Sequence, residues 1–208
     1  MSDLVGGKYP QQYPFWKALG QAANATQGNL SVRSNAEYLG LGGLTDQTGV
    51  LSTGKAILVP VPVEIGDVIT KVSVLAGATA EATGTHAWAA CYSGALTTAA
   101  LLGAQSTDNT GAAAIAASAR FDFTLGTSFT VSAANAPFGY IYAAISVTAT
   151  TVPSLVSSAV AAATQYAWFT NTPLLGANSG SALAGTAPAT FTLASSTAQA
   201  NTPLVFLS

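Results

Sequence analysis

The chain has 208 residues, with 6 Lys or Arg, 8 Asp or Glu and a single His, so that 7% is charged against roughly 25% in an ordinary soluble domain. Six scattered cations at a pI near 5.0 cannot build a phosphate-binding surface, so nucleic-acid binding is excluded. One Cys and one His exclude a structural zinc site and a disulfide framework. The last charged side chain is Asp122, so any acid–base or nucleophilic chemistry has to be found before residue 123.

Mean hydropathy is +0.43, yet the longest apolar run is Ala56–Val63, interrupted by Pro60 and Pro62. A spanning helix needs about 20 apolar residues, so no membrane insertion is expected. Met-Ser-Asp-Leu-Val-Gly-Gly-Lys8 has no charged-then-apolar leader pattern, and the chain is expected to stay in the cytoplasm where it is made rather than be secreted. A neutral surface favours association, which points to a chain covered by partners, as a subunit of an oligomer or of a larger assembly.

In chain order, residues 1–54 are rich in Gln, Asn and Gly and carry Tyr9, Tyr13, Phe15, Trp16 and Tyr38. One short helix is predicted over 14–23, where Pro14 suits a first turn and Phe15, Leu19 and Ala22 share a face. The rest of this stretch reads as an extended arm with aromatic anchors. From Lys55 the pattern becomes β, with segments at 55–63, 67–76, 85–93, 98–105, 119–124, 127–132, 138–148, 164–170, 189–194 and 203–207.

Two of these segments have a clear period of two. In 85–92 it separates His86, Trp88, Ala90 and Tyr92 from Ala87, Ala89 and Cys91. In 138–147 it separates Ile141, Ala143, Ile145 and Val147 from Tyr140, Tyr142 and Ser146. Residues 111–119 and 157–164 remain open between a helical turn and a loop. The expected architecture is all-β: an antiparallel, jelly-roll-like β-sandwich over 55–208, preceded by the extended N-terminal arm of 1–54 with its one short helix. Roughly 150 residues suffice for such a core without metals or disulfides.

Few side chains invite chemistry. Cys91 lies on the strand face opposite His86, and no Lys or Arg falls between Lys71 and Arg120 to activate it. Glu64 and Asp67 flank Ile65-Gly66 and read as a tight turn, with Asp67 capping backbone donors and Gly66 at positive φ, before they read as paired catalytic or cation-binding carboxylates. Asp108-Asn-Thr-Gly111 reads as a loop tip before a metal loop, and Arg120 and Asp122 share one face of a strand with Phe121 and Phe123 on the other. Asn24-Ala-Thr26 and Asn29-Leu-Ser31 match a glycosylation pattern that matters only in a secretory compartment. Gly40-Leu-Gly-Gly43 lacks the Lys and Ser or Thr of a phosphate loop. No catalytic, cofactor-binding or metal-ligating residues are therefore expected.

The stretch Gly66-Asp-Val-Ile-Thr-Lys-Val-Ser-Val-Leu-Ala-Gly-Ala-Thr79, followed by Thr85-His-Ala-Trp-Ala-Ala-Cys-Tyr-Ser-Gly94 and Ala100-Leu-Leu-Gly-Ala-Gln-Ser-Thr107, resembles virion proteins of tailed phages that infect actinobacteria. The similarity continues through Phe138-Gly-Tyr-Ile-Tyr142 and Thr151-Val-Pro-Ser154 and covers about residues 50–155, with one extra residue at Leu102-Gly103-Ala104. It implies a minor tail or capsid-surface protein with a β-sandwich or jelly-roll fold, and it brings no catalytic residues.

The expected function is that of a non-enzymatic capsid decoration protein, assembled into the virion in the host cytoplasm. It would dock on the major capsid protein through Tyr9, Tyr13, Phe15, Trp16 and Tyr38, as a homotrimer. The alternative is a minor tail protein contacting tail proteins or a host-surface glycan, with Tyr140 and Tyr142 as the contact face. A third reading, a glycan-acting enzyme, would rely on Glu64, Asp67, Glu81 or Asp108.

Overall fold

Strands predominate because Val, Ile, Thr and aromatic residues recur in short runs between Gly, Pro and Asx punctuation. The computed structural model describes residues 32–36, 44–109, 115–159, 177–179, 182–197, 199 and 201–208. These residues are all-β with antiparallel strand pairing throughout, and helix among them is limited to Ala36 and a short 3-10 turn at Leu193–Ser195. The helix predicted over 14–23 and the strand predicted over 164–170 lie outside the described residues. No helix among the described residues is long and apolar enough to cross a membrane.

The centre is a sheet in which β9 (Tyr140–Thr151) lies between β3 (Lys55–Pro62) and β5 (Ala82–Tyr92). Its flanks are β11 (Ala177–Asn178) beside β3, then β6 (Thr98–Leu102) and β12 (Thr190–Thr192) beyond β5. Pro60 and Pro62 fit β3 because β11 pairs only with Ile57 and Leu58, so no described strand needs their missing N–H.

A second sheet runs β1 (Arg33–Ser34), β14 (Val205–Leu207), β4 (Val68–Leu75), β8 (Arg120–Thr130), β7 (Ala104–Ser106). A third, small sheet places β10 (Leu155–Ala159) between β13 (Asn201–Pro203) and β2 (Leu44–Gln47).

The period of two read in the sequence divides two cores. Ile57, Val59 and Val61 of β3, Ala87, Ala89 and Cys91 of β5, and Ile141, Ala143, Ile145 and Val147 of β9 face Val72, Val74, Phe123, Leu125, Val205 and Leu207 of the second sheet. The opposite faces, with Ala56, Leu58, Trp88, Ala90, Tyr92, Tyr140, Tyr142 and Ala144, meet Ala187, Phe191 and Leu193. Both faces of the central strands are therefore buried, which is why 140–147 is so continuously apolar.

The C-terminal segment closes over the second core through polar hooks. Trp88 Nε1 donates to the Ala184 carbonyl at 2.8 Å and the Tyr92 hydroxyl to that of Pro188 at 2.8 Å. Gln105 donates to the Gly185 carbonyl at 2.8 Å and accepts from the Ala187 amide. Buried Trp and Tyr thus keep their polar ends satisfied.

Several boundaries differ from the expectation. Arg33–Ser34 and Leu44–Gln47 fall within the stretch assigned to an arm, yet they pair with β14 and β10 as part of the sheets. Buried Asn35 fixes this entry, donating to the Pro203 carbonyl at 2.8 Å and accepting from the Val205 amide at 2.9 Å. Strands of two and four residues held by long-range partners leave little periodicity to read.

Residues 119–124 and 127–132, predicted as two strands, are one strand, β8. Gly126 lies where the β8–β4 ladder slips between Ile69–Phe129 and Lys71–Thr124, and it lets the Gln105 carbonyl of the β7 strand approach where a Cβ would lie 2.8 Å from it. Conversely, 98–105 divides at Gly103 (φ +65°), where the chain leaves β5 and joins β8. Residues 155–159, overlapping a stretch left open between turn and loop, form β10.

Trp88 is fully buried with its indole N–H satisfied. Trp88→Ala is expected to destabilise the fold by about 3–5 kcal/mol, measured as a lower urea midpoint. An unchanged midpoint would show that the second core contributes little.

Candidate functional site

The one described His lies at the beginning of the buried part of β5. His86 Nδ1 is 2.6 Å from Asp108 Oδ2, and the other carboxylate oxygen accepts from the Ala87 amide at 3.1 Å. The loop after β7 thereby bends back over β5. Gly185 fits on top because it lacks a Cβ, which would lie 2.0 Å from Asp108 Oδ2 and 2.7 Å from His86 Nδ1.

An Asp-oriented imidazole is two-thirds of a nucleophile–base–acid arrangement. Thr148, the cross-strand neighbour of His86, keeps its hydroxyl buried without a hydrogen-bond partner among the described residues, so it does not complete one. Cys91 does not either: it is fully buried on the opposite face, where desolvation pushes its thiol up to about 12.

The remaining carboxylates join separate stretches of chain. Asp67 is buried and forms a two-pronged pair with Arg33, Nε to Oδ2 at 2.6 Å and Nη2 to Oδ1 at 2.8 Å. It also accepts from the Glu64 amide at 2.8 Å, while Gly66 takes φ +97°, the turn read from the sequence. Glu64 adds a 3.1 Å bridge to Arg33. Burial alone would lower the Arg33 pKa, but the hydrogen bonds and charges of Asp67 and Glu64 raise it. The sequence reading missed Arg33 because the pair spans 34 positions.

Asp46 accepts from the Ser154 hydroxyl and, at 2.9 Å, from the Ala78 amide, and these bonds hold its carboxyl below the usual value. Glu81 is buried and accepts from the Ile115 amide at 3.1 Å, with Gly84 leaving the space its carboxylate occupies. Asp122 accepts from Arg120 Nε at 2.6 Å. Burial would raise its pKa, but Ser73 and Arg120 hydrogen bonds and the Arg120 and Lys71 charges outweigh that and lower it. No group of three or more His, Cys, Asp or Glu is placed to hold a metal ion among the described residues.

Tyr140 and Tyr142, expected as a surface for glycan contact, are instead buried at 5% and 0% exposure. The alternation was read correctly, but the face is covered. Their rings meet edge to face at 5.4 Å, and Tyr140 stacks under Phe138 at 6.2 Å. Desolvation raises the pKa of both phenols. The proposed anchors Tyr9, Tyr13, Phe15, Trp16 and Tyr38 lie outside the described residues. No protein-family model matches the sequence, and no curated protein matches it either.

The carboxylates give an acid-sensitivity test. Asp46 and Asp122 have folded-state pKa values below the usual 3.8. Their contribution is fully present above that value and is lost as pH falls through the folded values. Urea midpoints of the native chain should fall between pH 5 and about pH 2, and Asp46→Asn should show a shallower fall over the same window. An identical slope in the variant would contradict the role given to Asp46.

Proposed function

We propose that the chain is a non-enzymatic structural protein of a phage virion, a capsid decoration protein whose body is a jelly-roll-like β-sandwich. The observation that carries this reading is the use of five of the six described side-chain carboxylates, at 46, 64, 67, 81 and 108, in joining chain segments through ion pairs or backbone amides, while Asp122 pairs with Arg120 on its own strand. A carboxylate held by backbone amides and a fixed cation is poorly placed to exchange protons with a substrate. These joints support the non-enzymatic reading over one that relies on Glu64, Asp67, Glu81 or Asp108.

The resemblance of residues 50–155 to virion proteins of actinobacterial phages supports the same reading, as does the sparsely charged composition. The tail and glycan alternative offered Tyr140 and Tyr142 as its candidate contact face, and their burial favours the shell reading over that face. Docking on the major capsid protein is assigned to the residues ahead of Val32, which carry Tyr9, Tyr13, Phe15 and Trp16. In this reading the protein cements neighbouring shell subunits by added interface, with no bond made or broken.

The test is a truncation that stops before Val32, since Arg33 and Asn35 are part of the fold. A chain of residues 32–208 is expected to retain the β circular-dichroism signal and urea midpoint but to stop co-sedimenting with empty shells of the encoding phage. Co-sedimentation equal to that of the full chain would overturn the assignment of the arm. Failure of the full chain itself to bind shells, with recovery in isolated tails, would replace decoration by the tail reading.

A further inference from the structure

Residues 32–36, Val-Arg-Ser-Asn-Ala, have no apolar alternation to bury, yet they open the compact unit that runs from Val32 to Ser208. β14 is paired on one side with β4, and β1 takes its other edge. That ladder is short. Arg33 lies opposite Leu207 and Ser34 opposite Phe206, after which the Asn35 amide donates to the Val205 carbonyl at 3.4 Å. So brief a pairing holds little by itself, and side chains supply the rest.

Arg33 and Asn35 each meet a fixture built by the rest of the body. Arg33 takes Asp67 with Nε at 2.6 Å and Nη2 at 2.8 Å and reaches Glu64 at 3.1 Å. Asn35 lies where the chain passes from β13 of the third sheet to β14 of the second. Between those strands the Leu204 amide donates to the Val156 carbonyl of β10 at 2.9 Å. The groups on either side of it are met by Asn35, whose Nδ2 donates to the Pro203 carbonyl at 2.8 Å and whose Oδ1 accepts from the Val205 amide at 2.9 Å. Asn35 is fully buried. The Ser34 hydroxyl closes the segment by accepting from the Ala36 amide at 3.2 Å.

Capture of an extended peptide by a sheet edge works in this way: main-chain pairing gives the seat, and side-chain fixtures give the choice. The fixture of Asp67 and Glu64 suits a planar, forked cation, since Lys presents a point charge without the paired N–H groups. The fixture of the Pro203 carbonyl and Val205 amide needs a donor and an acceptor on one side chain, which an amide offers and a carboxylate does not. Both fixtures come from residues 64–67 and 203–205, far along the chain, so the seat does not require the covalent connection through 37–43. We propose that the β14 edge, with Asp67, Glu64, the Pro203 carbonyl and the Val205 amide, is a peptide-binding site for an extended Arg-x-Asn segment, filled by Arg33–Asn35 of the same chain. It clips the residues ahead of Val32 to the body whatever those residues dock on, so the inference stands apart from the shell reading.

The test cuts the connection and leaves the seat intact. A protease site is placed between Gly42 and Gly43 of the full-length chain, which is cut after folding. The N-terminal fragment should stay with the body through size-exclusion chromatography. An excess of a dye-labelled peptide of residues 30–38 should then displace it, and the same peptide carrying Arg33→Lys or Asn35→Asp should bind at least about tenfold more weakly. The uncut chain should leave the peptide unbound, because its own segment competes at a far higher effective concentration. The peptide variants meet an unaltered body, so their weaker binding does not reflect a lost fold. A fragment that leaves the cut chain, a fragment that the peptide does not displace, peptide variants that bind as the native peptide does, or equal binding by the uncut chain would each overturn the proposal.

Discussion

Burial of β9 on both faces is the constraint from which the other features follow. A strand with Ile141, Ala143, Ile145 and Val147 on one side and Tyr140, Tyr142 and Ala144 on the other cannot be an outer strand. It needs a sheet packed on each flank of its ladder and a layer against each face. β3 and β5 supply the ladder, the β4–β8–β14 sheet covers one face, and the segment around 183–193 covers the other. Apolar burial contributes about 25 cal/mol per Å² removed from water, so one strand with two buried faces anchors two cores at once.

Covering a second face with irregular chain creates a polar problem, because such a segment cannot satisfy its backbone through a ladder. The solution uses side chains that stand on the sheet. Trp88, Tyr92 and Gln105 reach the carbonyls at 184, 188 and 185. The same logic applies at the sheet ends, where Asp46, Glu81 and Asp108 each take a backbone amide and sit in the space opened by Gly77, Gly84 and Gly185. A chain with only eight acidic residues thus places three of them against glycines as loop fasteners. Scarcity of charge and absence of a free carboxylate among these residues have the same origin.

What was legible in the sequence follows from the range of the interaction. Local alternation revealed which residues of 85–92 and 140–147 share a face, and Gly66 with Asp67 announced their turn. Alternation could not say that both faces are covered, so Tyr140 and Tyr142 were read as surface when they are core. Long-range pairing was equally invisible: Arg33 with Asp67, Asn35 with Val205, and Ser157 opposite Pro203 join positions far apart in the chain. Gly103 and Gly126 carried opposite meanings, a change of sheet and a close approach within one strand, and only the partner's position distinguishes them.

The central claim is that the carboxylates are fasteners of the fold. Native-state hydrogen exchange reads this directly at the amides they hold: Glu64, Ala78, Ala87 and Ile115. These loop and strand-end amides should be protected nearly as well as those in the middle of β9, and should open only with the body as a whole. Exchange at the rate of unstructured loop amides, with β9 still protected, would show that the carboxylates are free and contradict the account.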